Sequence, residues 1–364
     1  VPPAGALGLT VLLVLPLGCS LTVTAEDYLG PGGPPPPPGV AGHLWVVGGA
    51  DEAGGELSAV WVAPILEDGA LGAWARATDL PSPRTGHASF VHDDRIYVVG
   101  GRYTNTLFAV RTGADLGAWS FGETPTALHE YPCVAASRSS VFQVAGASSC
   151  PAPLPASEAA VAVSVGELSA DGKIAWTSTE VLPYPRCGCS AVATDGFVYA
   201  INGLASITET DAVPGSTWFA PIGLANDAAS WAPVTAPQGP IQIGSGHASV
   251  ATDGRIYVMG GVPNSGSSAG RPVADVWIAD VRELDGSLSW RTSAEAALPL
   301  PLAWHAAAIH GRFVYVLGGL TLEDRPIADV FRARIGQGGL EPWQATRPLP
   351  TAIWQHAAAA SPAP

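Results

Sequence analysis

The chain has 364 residues, of which 43 are Gly, 34 are Pro and one is Met, with 13% charged residues. That composition suits many short strands joined by turns and leaves little material for long amphipathic helices. Net charge is −14, and all but one of the 17 basic residues are Arg; with no lysine-rich surface to neutralise a phosphate backbone, nucleic acid is excluded as an expected partner.

Residues 4–17, AGALGLTVLLVLPL, form an uncharged apolar run. It is short for a membrane span but of the right length for the hydrophobic region of a secretory signal, so export is expected. The run ends in LPLGCS, which resembles a bacterial lipobox in which the thiol of Cys19 takes a diacylglycerol; Pro16 and the lack of Lys or Arg ahead of the run depart from that pattern. The alternative is ordinary cleavage after Ala25 in TVTA. A signal is thus expected over 1–18 and a Pro/Gly-rich tether over 19–40, where LGPGGPPPPPG favours polyproline II. About twenty residues at ~3.1 Å each would hold a folded domain up to ~60 Å from an anchoring membrane. The expected location is the outer membrane or cell surface as a lipoprotein, and otherwise the periplasm or the medium.

From residue 41 to 364 the sequence repeats. GHASFVHDDRIYVVGG (86–101) and GHASVATDGRIYVMGG (246–261) are identical at eleven of sixteen positions. The apolar run closing on glycine occurs six times: LWVVGG, IYVVGG, VFQVAG, VYAING, IYVMGG and VYVLGG. The last glycines, Gly49, Gly101, Gly146, Gly203, Gly261 and Gly319, are 52, 45, 57, 58 and 58 residues apart. Each run is followed by a β-rich segment, a turn and one tryptophan: Trp74, Trp119, Trp176, Trp231, Trp290 and Trp343 in order. A GHAS-like segment then opens the next unit. Every unit reads as four short strands, a to d, and a period near 50 residues with recurring Gly-Gly and Trp is the mark of a ring of blades.

These motifs resemble kelch repeats, and the resemblance, over residues 43 to about 361, implies an all-β, six-bladed β-propeller. Unit two is clipped before Trp119, and unit three has AGA where Gly-Gly is expected. The first unit lacks a strand a, while the chain ends on an unaccompanied one, WQHAAAA (354–360). That segment is expected to complete the first blade beside residues 44–49, closing the ring by pairing N- and C-terminal strands.

The strand-a column holds His87, His247, His305 and His356, with Cys189 and approximately Cys133 in the other units. A ring of imidazoles and thiols invites a metal, but equivalent positions on separate blades should lie too far apart for bonds near 2 Å. The expectation is therefore buried, hydrogen-bonded histidine, with no metal and no cofactor. Of the cysteines after Cys19, Cys150 and Cys187 share a rim and are the expected disulfide, leaving Cys133 and Cys189 as the remaining pair among three connectivities.

The b-to-c loops are long and irregular and lie on the same rim as the d-to-a connections, where recognition is expected. Arg84 and Arg186, just before strand a, and Arg102, Arg271 and Arg325, in b-to-c loops, are candidates for an anion-attracting mouth, set against simple pairing with loop acids. Two functions follow. One is a binding or scaffold module for a protein or glycan partner. The other is a sugar-processing enzyme similar to the kelch-type N-acetylneuraminate epimerases, whose catalytic residues have no match that can be assigned in this chain.

Overall fold

The structure is a computed structural model that describes residues 39–363 apart from 102–104, 126–130, 139, 145, 147–161, 181, 183–185, 187, 204–216, 225–230, 235–242, 253, 264–269 and 293. Its strands assemble into six antiparallel blade sheets arranged as a β-propeller, with Ile243–Ser245 and Val262–Pro263 forming a separate two-stranded sheet. Blade 2 runs through His87–His92, Arg95–Gly100 and Leu107–Thr112, and blade 3 through Cys133–Ala136, Ser140–Val144, Ala162–Leu168 and Ile174–Glu180. Blade 4 contains Ser190–Ala193, Phe197–Ile201, Trp218–Pro221 and Ala232–Pro233. Blade 5 contains Ala248–Thr252, Arg255–Met259, Val276–Val281 and Leu288–Thr292, and blade 6 contains Ala306–His310, Phe313–Leu317, Val330–Arg334 and Gln344–Ala345. In the clipped blade 2 the outermost strand is split, Asp115–Leu116 pairing the far end of the third strand and Ser120–Phe121 its near end.

Blade 1 joins both ends of the chain. Its innermost strand is Ala357–Pro362, which pairs antiparallel with Val40–Val47 in a register that sets Trp45 opposite Ala359, followed outward by Val60–Leu66 and Ala75–Arg76. The closing strand runs further than residues 354–360 and reaches Pro362, because Val40–Val47 itself begins four residues ahead of Leu44. Trp45 Nε1 donates to Ser361 Oγ at 3.0 Å, inside the ring, where neither residue is exposed.

Second strands are buried on both faces, since successive side chains point to opposite neighbours. Leu44 and Val46 pack against Tyr315 and Leu317 of blade 6, whereas Trp45 and Val47 pack against Ile96 and Val98 of blade 2. The core is accordingly six clusters among the described residues, one at each blade junction. Polar groups on the repeat lock the same junctions. Tyr199 and Tyr315 each donate to a turn glycine of the following blade, Gly286 at 2.9 Å and Gly69 at 2.8 Å. The fourth-strand tryptophans reach the other way, with Trp119 Nε1 donating to Thr78 O at 3.0 Å and Trp343 Nε1 to Ala296 O at 2.8 Å.

The glycine pair has a double cause. In Gly318-Gly319 both residues have positive φ, +56 and +98. A Cβ on Gly318 would stand 2.6 Å from Ile353 O and 2.8 Å from Cε1 of the next blade's His356, and one on Gly319 would stand 2.6 Å from Cβ of its own blade's His305. The histidine column and the glycine column are therefore one steric interlock. Gly318→Ala is expected to destabilise the ring by more than about 2 kcal/mol, strain and clash combined. Gly311→Ala, at φ +53 with nothing near the new Cβ, should cost only about 1 kcal/mol of left-handed strain. Urea denaturation of the two variants, showing equal losses, would refute the interlock.

Candidate functional site

The d-to-a segments enter their blades at the axis, and there the backbone does something the strands cannot. One residue just ahead of each strand-a His or Cys has positive φ: Gly86 (+61), Tyr131 (+52), Gly188 (+64), Gly246 (+68), Trp304 (+55) and Gln355 (+52). Three blades meet this demand with glycine. Three place a side chain there at a cost of about 1–2 kcal/mol each, and bulky non-glycine residues held in this conformation concentrate where structure serves function.

The left-handed turn directs N–H groups sideways to the preceding blade. Tyr131 N donates to Gly86 O (3.0 Å), Gly86 N to Gln355 O (3.1 Å), Gln355 N to Trp304 O (2.9 Å) and Trp304 N to Gly246 O (2.7 Å). This belt ties blades 3, 2, 1, 6 and 5 in series. The junction of blades 3 and 4 is tied by a disulfide instead, Cys133–Cys189, with Cα atoms 5.7 Å apart. The expectation that column positions on separate blades lie too far apart is thus corrected for neighbours: at the axis the innermost strands converge closely enough for a covalent bridge. Cys150 and Cys187, the expected pair, lie outside the described residues, as does Cys19.

Blades 3 and 6 are diametrically opposed, yet Tyr131 and Trp304 meet edge to face across the axis, with ring centroids 5.8 Å apart. The glycines of the other blades make the room: a Cβ on Gly86 would strike the Tyr131 ring at 2.6 Å, and one on Gly246 would press the Trp304 indole at 3.1 Å. The result is a shallow cup of about 110 Å³ whose floor includes Tyr131, Trp304 and Gln355 and whose described lining carries no Asp, Glu, Lys or Arg.

The four imidazoles, each buried, belong to the lining of the same cup. His87 Nε2 is 3.1 Å from Val47 O on the preceding blade's second strand. The equivalent carbonyls of Ile201, Met259 and Leu317 face His247, His305 and His356 without closing to hydrogen-bond geometry. Cys189 Sγ sits 3.9 Å from Val144 O in the same relation. Burial holds His87, His305 and His356 down at about 3 and His247 at about 4, so all four are neutral at physiological pH. Among the described residues no three His, Cys, Asp or Glu side chains are arranged to hold a metal ion.

Of the candidate arginines, Arg84 and Arg186 turn away from this mouth. Arg84 and Arg186 are 1% and 2% exposed. Arg84 Nη1 donates to Gly100 O and Asn105 O, each at 3.0 Å, and Nη2 donates to Asn105 Oδ1 at 2.6 Å. Arg186 Nη1 donates to Asn202 O at 2.6 Å, and burial lowers its guanidinium to about 10. Both therefore brace the glycine end of their own blade's second strand, where carbonyls turned by positive φ need donors. Arg325 is largely exposed and 3.7 Å from Glu52, Arg271 is exposed, and Arg102 lies outside the described residues.

What the repeat pattern left unremarked is the column just before the histidine. TGHASF, CGCSAV and SGHASV carry glycine there, but AWHAAA and WQHAAA carry Trp304 and Gln355; that swap in a column requiring positive φ was the available signal.

No family model and no curated protein matches the sequence. Among solved structures, one described as the structure of YjhT is similar with a TM-score of 0.57 at 13% identity, over 77% of this chain and 88% of that one. At such identity the likeness is one of fold, and together with six sheets closed by the chain ends it makes this protein a six-bladed β-propeller.

Proposed function

We propose that this chain is a kelch-type, exported glycan-binding module whose axial cup supports the ring of a bound sugar. The carrying observation is the Tyr131–Trp304 contact across the axis, built from two aromatic residues in a backbone conformation that three other blades reserve for glycine. An aromatic face with a neighbouring amide, Gln355, suits a pyranose: C–H groups pack on the ring and hydroxyls bond the amide. Export rests on the apolar run over 4–17, and tethering rests on the lipobox-like Cys19 followed by the proline-rich segment.

An epimerase needs a group that moves protons near neutrality. The imidazoles in the cup's lining are weak bases by virtue of their burial, so anomer exchange of N-acetylneuraminate, followed by NMR, is expected to run at its uncatalysed rate with the protein present. Trp304→Gly separates binding from folding, because glycine relieves the φ strain while removing the indole. A glycan array followed by calorimetry on the strongest sugar should show at least about a tenfold loss of affinity in Trp304→Gly, equivalent to the ~1.4 kcal/mol a stacking face readily supplies, with the melting temperature nearly unchanged. Equal affinity in the two proteins, or no glycan bound by the wild type, would overturn the reading.

A further inference from the structure

On the rim opposite the mouth, the turns at one end of blade 6 stand between two cavities of about 550 Å³ each. One, toward blade 1, is lined by residues that include Asp68, Arg312, Phe313 and Arg332; the other, toward blade 5, by residues that include Arg255, Tyr257, Arg312 and Ile335. Gly311, Arg312, Arg334 and Glu341 line both, so the two form one groove with Arg312 on the ridge between its halves.

The charge here reverses the balance of the chain. Four guanidinium groups, Arg255, Arg312, Arg332 and Arg334, line the groove against three carboxylates, Glu67, Asp68 and Glu341, whereas the whole protein has 17 basic residues to 31 acidic. Two of the four are already occupied: Arg255 bonds Asp280 and the carbonyls of Gly336 and Gln337, and Arg332 bonds Asp68 O and Gln344 and lies 3.8 Å from the Asp68 carboxylate. The other two are available. Arg312 is exposed and has no ion-pair or side-chain hydrogen-bond partner among the described residues, while half-exposed Arg334 has only a 3.9 Å contact to Glu341.

The geometry points to a docking groove for an acidic, aromatic-containing extended peptide of a partner protein. Its carboxylates would meet Arg312 and Arg334, its backbone N–H groups would meet Glu341, and its apolar side chains would enter the two halves against Phe313 and Pro342 on one side and Tyr257 and Ile335 on the other. Charge complementarity selects this occupant. Elsewhere an acidic segment meets a protein of net charge −14, so the groove is where its approach is favoured. A phosphate polyanion is disfavoured because three carboxylates line the same walls; a peptide backbone can offer N–H donors to such walls, whereas a phosphate offers only further negative charge. The site is independent of the axial cup.

The test is fluorescence anisotropy of the full chain with a labelled nine-residue peptide alternating Asp and Phe. The same peptide with Lys for Asp, a tetragalacturonate and phosphatidylglycerol vesicles serve as the other arms. Saturable binding of the acidic peptide alone, weakened about tenfold or more in Arg312→Ala and left intact in Trp304→Gly, is the expected result. Arg334→Ala should weaken it as well, and neither arginine change should alter the melting temperature, since both side chains are exposed. Absence of saturable peptide binding, equal binding of the Lys peptide, unchanged affinity in Arg312→Ala, or preference for the uronate or the vesicles would overturn the assignment.

Discussion

A chain ending at Trp354 is expected to lose the native ring altogether, not merely to fray at one edge. Ala357–Pro362 is the innermost strand of blade 1, and six of its residues pair with Gly42–Val47. Removing it strips the hydrogen-bonding edge from Val40–Val47, leaves the Trp45 indole N–H without Ser361, and takes away His356, whose ring fills the space left by Gly318. Losing the Ser361 bond alone, as in Ser361→Ala, should cost about 1–3 kcal/mol because it strands a buried donor. The full truncation adds an open apolar strand edge, a template for intermolecular pairing. It should therefore exceed the ~5–15 kcal/mol by which a domain is stable. Size-exclusion chromatography should show aggregates and near-UV circular dichroism should lose its tryptophan bands, with partial recovery when a synthetic 353–363 peptide is added during refolding. A truncated chain that elutes as a monomer with unchanged near-UV bands would show that closure is dispensable.

The features legible in the sequence are those that recur and act locally. An apolar run closing on glycine marks a doubly buried strand, because alternation gives each face to a different neighbour, and six copies give six blades. The unmatched segment at 354–360 is readable for a related reason: a repeat cannot bury its faces with one strand missing. Side-chain direction at single positions is not legible in this way. Arg84 and Arg186 stand at the rim in sequence terms, but carbonyls turned by the left-handed residues of their own blades draw both guanidinium groups inward.

Contacts across the ring are harder still, because they depend on the radius at which the strands begin. Tyr131 and Trp304 lie three blades apart and touch only because the innermost strands converge at the axis, and the same convergence brings Cys133 to Cys189. The groove beneath blade 6 is invisible to a repeat-by-repeat reading for another reason. It is assembled from turns of three blades, in which Arg255, Arg312, Arg332 and Arg334 occupy different columns of the repeat.

The histidine column makes the protein acid-labile, and steeply so. In the unfolded chain each imidazole takes a proton below its ordinary value of 6.5, whereas in the ring burial defers protonation to about 3 for His87, His305 and His356 and to about 4 for His247. Unfolding therefore takes up protons between about pH 6.5 and pH 4; the stability these residues permit is full above pH 6.5 and declines as pH falls through that window. Each proton is worth about 1.4 kcal/mol per pH unit, so four together approach ~5 kcal/mol per unit once the unfolded chain is fully protonated. That slope consumes a typical domain's stability within roughly two pH units. Relief of negative self-repulsion on acidification works in the opposite direction, but it is spread over a mostly exposed set of carboxylates, whereas the four imidazoles are desolvated at one place. Further resistance to protonation comes from mutual repulsion, since His305 is flanked by His247 and His356. Urea denaturation between pH 7.5 and 4.5 should accordingly give a stability that falls with a limiting slope of at least about four protons, to which His43 and His310, also lowered by burial, add. His356→Gln, whose amide is polar but cannot titrate, should be less stable than wild type at pH 7 while its slope drops by about one proton, so the two curves converge on acidification. A stability flat between pH 7 and 5, or a slope that His356→Gln leaves unchanged, would mean that the imidazoles are not held neutral by burial in the ring.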